Sequence, residues 1–197
     1  MHPILDQSAL NQLFEDARTY YAWQDKPVGD ELLHKIYNSV RNGPTSGNCS
    51  PMRIVFVKSK EAKEKLRPAL DEFNVTKVMT APVTAIIGYD MRFYEKMPFL
   101  FPHDLSARSW FDKDEQTTFI NGFRNGTLQA GYFIMAARAY GLDCGPMSGF
   151  NNAKVDELFF SGTAIKSNFL CNLGHGDGSR LFPRSPRLPF EEACSIV

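Results

Sequence analysis

Three short segments in which apolar side chains dominate constrain the fold of this chain most strongly. They are residues 53–58, 83–89 and 169–173, and none strictly alternates polar with apolar residues, as a half-exposed strand does. Strands of this kind are typical of a sheet that is covered on both faces. The sequence therefore predicts a central sheet with helices packed against it.

Helical periodicity predicts where those helices lie. Apolar residues three and four apart predict helices that begin near Ser8 and near Asp30, and a third over residues 127–140, which Gly141 ends. Shorter helices are predicted over residues 61–70, where Pro68 should kink or end the helix, and 153–160. The predicted apolar faces are Leu10, Leu13, Phe14 and Ala17 in the first helix, Leu33, Ile36, Tyr37 and Val40 in the second, and Leu128, Tyr132, Met135, Ala136 and Ala139 in the third.

Helices and strands do not alternate strictly, so the sequence favours an α+β layered fold over a doubly wound parallel sheet. We find no repeat and no linker, and we expect one domain over residues 1–197. An aromatic-rich segment at about 91–115 shows no clear periodicity, and we interpret it as a lid or a binding wall. A tail at about 175–197, rich in proline, arginine and glycine, shows no clear element.

Charge and cysteine content exclude several classes of function. The 22 basic side chains balance 22 acidic ones, so no net charge draws the chain toward nucleic acid or an anionic membrane. No signal peptide or membrane-spanning run is visible. The four cysteines are far apart in sequence, which favours reduced thiols in a cytoplasmic protein. The four histidines lack metal-ligand spacing, so we expect no metal site.

Polar segments at the ends of the predicted elements are the candidates for chemistry. Each alone is typical of a capped loop, but together they suit a flat, anionic cofactor. Arginines can bind a phosphate bidentately, hydroxyl and backbone donors can line a polar ring, and a lysine can face developing negative charge. The glycines of residues 174–178 do not form a dinucleotide-binding loop, because prolines follow where a helix should begin. The polar segments are residues 18–21, 44–51, 74–77, 145–150 and 184–187.

In order and spacing these segments resemble the FMN-dependent nitroreductase family. Residues 44–51, Pro-Thr-Ser-Gly-Asn-Cys-Ser-Pro, are similar to that family's Pro-Ser-Ser-x-Asn-Ser-Gln-Pro-Trp signature. The most similar branch contains the malonic semialdehyde reductase of pyrimidine catabolism, by residues 43–46, 81–86, 107–111 and 141–150. The resemblance implies a three-layer fold with a mostly antiparallel central sheet between helices. It also implies an intertwined homodimer that holds FMN at its interface.

The resemblance further implies that both subunits contact each flavin. Asn74 and Lys77 match positions beside the pyrimidine edge, and Ser148 and Gly149 match donors near flavin N5. The implied contacts with the phosphate or ribitol are Arg18, Thr19, Arg184 and Arg187. The residues expected to approach from the second subunit are Pro44, Thr45, Ser46 and Asn48.

Three departures from the family pattern stand out. Tyr21 replaces a basic residue, Ser50 and Met52 replace Gln and Trp, and Ser148 replaces an acidic residue common in enzymes that reduce nitro groups.

The activity that the resemblance implies is ping-pong hydride transfer from NADH or NADPH, through flavin N5, to a second substrate. The branch suggests malonic semialdehyde, reduced to 3-hydroxypropionate, as that substrate. Arg108 is then the candidate cation for the substrate carboxylate, with Trp110 and His103 as further candidate contacts in the aromatic segment. A broad nitro or quinone reductase, and a flavin-binding protein without turnover, are the alternatives.

Overall fold

The computed structural model describes residues 3–197 and contains one four-stranded antiparallel sheet in the order β1-β2-β4-β3. Strand β2 pairs with β1 on one side and with β4 on the other, and β3 pairs with β4. All three predicted strands are present, and one short edge strand is added. The strands are β1, Met52–Val57; β2, Val83–Asp90; β3, Asp143–Met147; and β4, Ile165–Gly174.

Helices cover both faces of this sheet. On one face α2 and α6 pack against Val83, Ala85 and Ile87 of β2. On the other face α3, α4 and α7 pack against Ile86 of the same strand. This three-layer arrangement confirms the predicted α+β fold. The helices are α1, Gln7–Leu10, continued by a π-helical turn at Asn11–Glu15; α2, Asp30–Val40; α3, Lys60–Leu66; α4, Glu72–Thr80; α5, Met97–Leu100; α6, Glu115–Ala139; α7, Asn152–Phe159; and α8, Phe190–Ala193.

Several predicted helix features are borne out and others are wrong. Helix α3 ends at Leu66, and a 3₁₀ turn that contains Pro68 follows it, as expected. The first helix is shorter than its apolar stripe suggested, and it buries none of its residues in the single chain. Tyr37, predicted to be buried on α2, is 47% exposed. No helix within residues 3–197 is both long and apolar enough to cross a bilayer.

Strand β1 corrects the expectation that the first predicted strand is covered on both faces. It lies at the edge of the sheet and pairs with β2 alone. Only Met52 and Val57, at its two ends, are buried, and the four residues between them are partly exposed. A continuous apolar run therefore marks an edge strand here, with an open groove beside α2 that Tyr37 and Ile54 help to line.

Helix α6 differs most from its prediction. It begins at Glu115, where the Asp114 side chain accepts a hydrogen bond from Thr117 N, twelve residues before the predicted start. The predicted apolar face is only partly buried: Leu128 is 43% exposed and Ala139 is exposed, whereas Tyr132 and Ala136 pack against the core. A Cβ atom on Gly126 would lie 2.9 Å from Cβ of Tyr89, so glycine lets the helix approach the sheet closely. Small and polar residues therefore form much of the buried face: Thr118, Gly122, Asn125, Gly126, Gln129, Ala130, Phe133 and Ala137.

The aromatic segment is more regular than its lack of periodicity suggested. It contains 3₁₀ turns at Phe93–Lys96 and Leu105–Trp110 on either side of α5. Its buried side chains form a small cluster with Cys49 of the loop before β1: Phe93, Met97, Ala107 and Phe111. Local packing of these aromatic rings thus orders a segment that carries no amphipathic pattern.

We expect Phe133→Ala to lower the free energy of unfolding by about 3–5 kcal/mol. The Phe133 ring is fully buried between α6 and the sheet, and truncation leaves a cavity there. The matched control is Phe99→Ala, because Phe99 is 83% exposed and should change that free energy by less than about 0.5 kcal/mol. Urea denaturation measures both, and similar values for the two variants would contradict this assignment of the buried face.

Candidate active site

The first turns of α4 meet the loop that follows β3. The Asn74 side chain is 1% exposed, and its Nδ2 donates a hydrogen bond of 2.9 Å to the Gly149 carbonyl. The Asp71 backbone N–H donates to the same carbonyl at 3.2 Å. A Cβ atom on Gly149 would lie 2.6 Å from Asn74 Nδ2 and 2.9 Å from Cζ of Phe73. Glycine is therefore required at this contact.

Lys77 lies one turn further along α4 and turns its ammonium toward this contact. Its Nζ donates to Asn74 Oδ1 at 3.0 Å and lies 5.0 Å from the centre of the Phe73 ring. Both partners are neutral, and no carboxylate within residues 3–197 forms an ion pair with this lysine. The site therefore carries a positive charge that no ion pair within residues 3–197 neutralises, beside the contact between α4 and Gly149.

A buried polar pair holds the backbone of Lys77 to the sheet. Asn172, on β4, donates from Nδ2 to the Lys77 carbonyl at 3.0 Å. Its Oδ1 accepts a hydrogen bond of 2.6 Å from the Thr84 hydroxyl on β2. Asn172 and Thr84 are both fully buried. Sequence reasoning missed this pair, although an asparagine inside an otherwise apolar strand is a visible signal that a buried polar partner exists.

Strand β3 connects this contact to the segment after the first helix. Thr19 forms an isolated parallel bridge with Cys144, and the Tyr20 N–H donates to the Cys144 carbonyl at 3.0 Å. From there β3 runs to Met147, so Ser148 and Thr19 lie at its opposite ends. Burial, with a smaller contribution from the carboxylate of Asp143, raises the pKa of the Tyr20 phenol, which is therefore neutral near pH 7.

Two of the three predicted phosphate-binding arginines lie together at the Thr19 end. Arg18 donates from Nη2 to the Phe182 carbonyl at 2.6 Å, and Arg184 donates from Nη2 to the Glu15 carbonyl at 2.6 Å. Arg187 bonds only the carbonyls of its neighbours Ser185 and Pro186 among the described residues. Arg18 and Arg184 thus present guanidinium groups whose partners are neutral carbonyls.

The segment that contains Pro44, Thr45, Ser46 and Asn48 lies elsewhere in the single chain. Ser46 N–H donates to Asn125 Oδ1 of α6 at 2.9 Å, and Asn48 Nδ2 donates to the Leu100 carbonyl at 2.8 Å. Gly47 and Asn48 both have a φ of 54°, so this turn is held in the left-handed region. None of the hydrogen bonds that these residues make within 3–197 reaches α4 or Gly149.

The three candidate substrate contacts are also separate from α4. Arg108 pairs with Asp112, with 3.2 Å between Nε and Oδ2, and its guanidinium lies 5.6 Å from the centre of the Tyr94 ring. The His103 and Trp110 rings both pack against Phe101. All three lie in the aromatic segment, and in the single chain they form no part of the contact around Gly149.

We expect Asn172→Leu to lower the free energy of unfolding by about 1–3 kcal/mol for each buried group that it leaves without a partner. Those groups are the Lys77 carbonyl and the Thr84 hydroxyl. The control is Asn168→Leu on the same strand, because Asn168 bonds Thr127 at 2.7 Å on the surface. That change should cost about 1 kcal/mol or less. Equal losses in urea denaturation would show that the Asn172 network does not fix α4.

Comparison with known proteins agrees with this geometry. The nitroreductase family model matches residues 15–175. A relative from Ralstonia pickettii is 60% identical over 191 residues, which cover 96% of this chain and 97% of the relative. One from Stenotrophomonas maltophilia is 59% identical over the full length of both chains. Both bear the provisional name NADH dehydrogenase/NAD(P)H nitroreductase.

Solved structures show the same fold at low sequence identity. A nitroreductase-type protein from Exiguobacterium sibiricum, solved in complex with FMN, has a TM-score of 0.84 at 18% identity and covers 100% of this chain and 99% of its own. A Bacillus subtilis protein has a TM-score of 0.85 at 20% identity, covering 98% of this chain and 100% of its own. The resemblance to the family is thereby confirmed, and the chain belongs to the nitroreductase family.

Proposed function

We propose that this protein is an FMN-dependent NAD(P)H oxidoreductase that works by a ping-pong mechanism with hydride transfer through flavin N5. The observation that carries the proposal is the Lys77 ammonium, held by neutral partners beside the contact between Asn74 and the Gly149 carbonyl. The nitroreductase family uses FMN with NAD(P)H as donor, which agrees with this charge. FMN, when bound, supplies the hydride chemistry, so the protein needs no catalytic dyad of its own.

The residues of α4 and the β3–α7 loop fit the polar edge of a flavin. Asn74 is 1% exposed, and its amide, bonded to Gly149 and Lys77, holds the Lys77 ammonium in position. Lys77 supplies positive charge where negative charge accumulates on reduction, and this charge favours the reduced state. Gly149 lets its loop pack closely against Asn74 and Phe73 of α4, and the exposed Ser148 precedes it in that loop.

The arginines at the other end of β3 fit the phosphate. Arg18 and Arg184 now donate to main-chain carbonyls, which are weaker acceptors than a phosphate dianion. If both guanidinium groups exchanged these carbonyls for the FMN phosphate, two positive charges would lie at the end of the site near Thr19. Arg187, further along the exposed tail, is the third candidate for this role.

A second copy of the chain would complete the site. Pro44, Thr45, Ser46 and Asn48 make no hydrogen bond to α4 within residues 3–197, which supports the proposal that they act on the partner's cofactor. Apolar side chains on the outer face of α6 are exposed, as are several in the tail. This surface supports an intertwined homodimer. The exposed apolar residues are Phe119, Ile120, Phe123 and Leu128 on α6, and Phe182, Leu188 and Phe190 in the tail.

Malonic semialdehyde, reduced to 3-hydroxypropionate, is the substrate that the branch resemblance supports, with Arg108 as the cation for its carboxylate. A broad nitro or quinone reductase is the second candidate. The pairing of Arg108 with Asp112 favours the second candidate, because it compensates the charge that a carboxylate substrate would need. The third alternative is a flavin-binding protein without turnover. In that protein the Lys77 charge would contribute to cofactor binding and not to catalysis.

Removal and restoration of FMN test the proposal. We expect the purified protein to be yellow because it binds oxidised flavin. Its visible flavin absorbance should bleach when NADH or NADPH is added without air. Removal of FMN should abolish oxidation of NAD(P)H, and added FMN should restore it, because the hydride chemistry belongs to the cofactor. A yellow protein that does not bleach would favour the flavin-binding alternative. A colourless protein that is indifferent to added FMN would contradict the proposal.

Arg108→Ala separates the two candidate substrates. If Arg108 binds the carboxylate of malonic semialdehyde, the variant should raise KM for that substrate by roughly tenfold or more, since a hydrogen bond to a charged group is lost. KM for a neutral quinone should change little. The control is Arg92→Ala, because Arg92 is an exposed arginine of the same segment that pairs with Glu95. Equal effects of Arg108→Ala on both substrates in steady-state kinetics would remove this role.

A further inference from the structure

We propose that Asp71 determines which electron acceptors this enzyme takes, by placing a negative charge beside Gly149 that disfavours anionic acceptors relative to neutral ones. The inference rests on the proposed function, and it assigns to Asp71 a preference for uncharged over anionic acceptors. The semialdehyde, which carries a carboxylate, would then be a poor substrate.

The position of the Asp71 carboxylate carries the inference. Its Oδ2 lies 2.8 Å from the point that a Cβ atom on Gly149 would occupy. The main chain of Asp71 is fixed there, because its N–H donates to the Gly149 carbonyl at 3.2 Å and its own carbonyl accepts from Asn74 N–H at 2.9 Å. Asp71 is exposed, so the carboxylate borders the solvent-accessible side of this contact.

Helix capping does not explain this position. Asp71 is the N-cap residue of α4, where an aspartate usually accepts a hydrogen bond from the backbone of the first turn. Its side chain makes no such bond. It also forms no ion pair within residues 3–197, since the nearby Lys77 ammonium bonds Asn74 instead. The carboxylate thus forms no ion pair within residues 3–197 and lies beside Gly149 instead of capping its own helix.

Coulomb's law sets the size of the expected effect. Two like charges several ångströms apart near a protein surface repel enough to change a binding constant by roughly five- to tenfold. Salt screens such a contribution, because the Debye length is about 8–10 Å at physiological ionic strength. A neutral acceptor of the same shape experiences almost none of this repulsion.

The test compares 4-nitrobenzoate with 4-nitrobenzamide, which have similar shape and differ in charge. With the FMN-loaded enzyme and a fixed NAD(P)H concentration, the ratio of kcat/KM for the anion to that for the amide is measured at low and high salt. We expect Asp71→Asn to raise this ratio roughly five- to tenfold at low salt, and less at high salt. Because both acceptors use the same reduced enzyme, a change in the cofactor itself cancels from the ratio.

Glu72→Gln is the matched control. Glu72 is the next residue along the chain and is exposed, and none of its atoms is among the three nearest to the Cβ position of Gly149, so the same loss of charge should leave the ratio within about twofold of wild type. Asp71→Ser provides a second uncharged variant that retains a good N-cap residue. It should behave as Asp71→Asn does, which protects the test against a variant that fails to fold.

A binding measurement gives a readout that does not depend on turnover. Dissociation constants of benzoate and benzamide, measured by the perturbation of bound-flavin absorbance, should show the same change in ratio. If Asp71→Asn and Asp71→Ser bind FMN and turn over but leave the anion-to-amide ratio unchanged, the inference is overturned and the proposed function stands. If wild type binds no FMN or reduces neither acceptor, the proposed function fails.

Discussion

The buried amide of Asn172 is the contact on which the candidate site depends. It joins β4 to the carbonyl of Lys77, and its own oxygen is satisfied by Thr84 on β2. A polar group in the core is tolerated only when it is hydrogen-bonded, so this pair has one favourable arrangement. The arrangement fixes α4 to the centre of the sheet. From there Lys77 and Asn74 extend the same network to Gly149.

Sequence patterns predicted the layers of the fold but not how closely they pack. Runs of apolar residues located three of the four strands, and helical spacing located most of the helices. The buried face of α6 was missed because Gly126 and its neighbours achieve burial by close approach instead of by apolar bulk. Hydrophobic periodicity detects large side chains, so it assigned the face that carries Leu128 to the core. Leu128 itself is exposed in the single chain, while Tyr132 and Ala136 of that face pack against the core.

The residues of the candidate site were likewise predicted only in part. Asn74, Lys77 and Gly149 were predicted from a family resemblance, and the fold brings them within hydrogen-bonding distance of one another. Asn172 and Asp71 were not predicted, because their roles arise from contacts between segments that are far apart in sequence. Asn172 meets a carbonyl 95 residues away. No local pattern encodes such a contact, although a polar residue in a buried strand signals that one exists.

Asp71, the N-cap residue of α4, and Lys77, on α4, carry opposite charges but form no ion pair within residues 3–197. Asn74 lies between them in sequence, and its side-chain oxygen accepts a hydrogen bond from the Lys77 ammonium. Asp71 is held by its backbone against Gly149 instead. Separation of this kind lets one side of the site stabilise negative charge while the other repels it. An enzyme that must hold an electron-rich cofactor and still choose among acceptors has a physical use for both charges, and a direct salt bridge between Asp71 and Lys77 would remove them both.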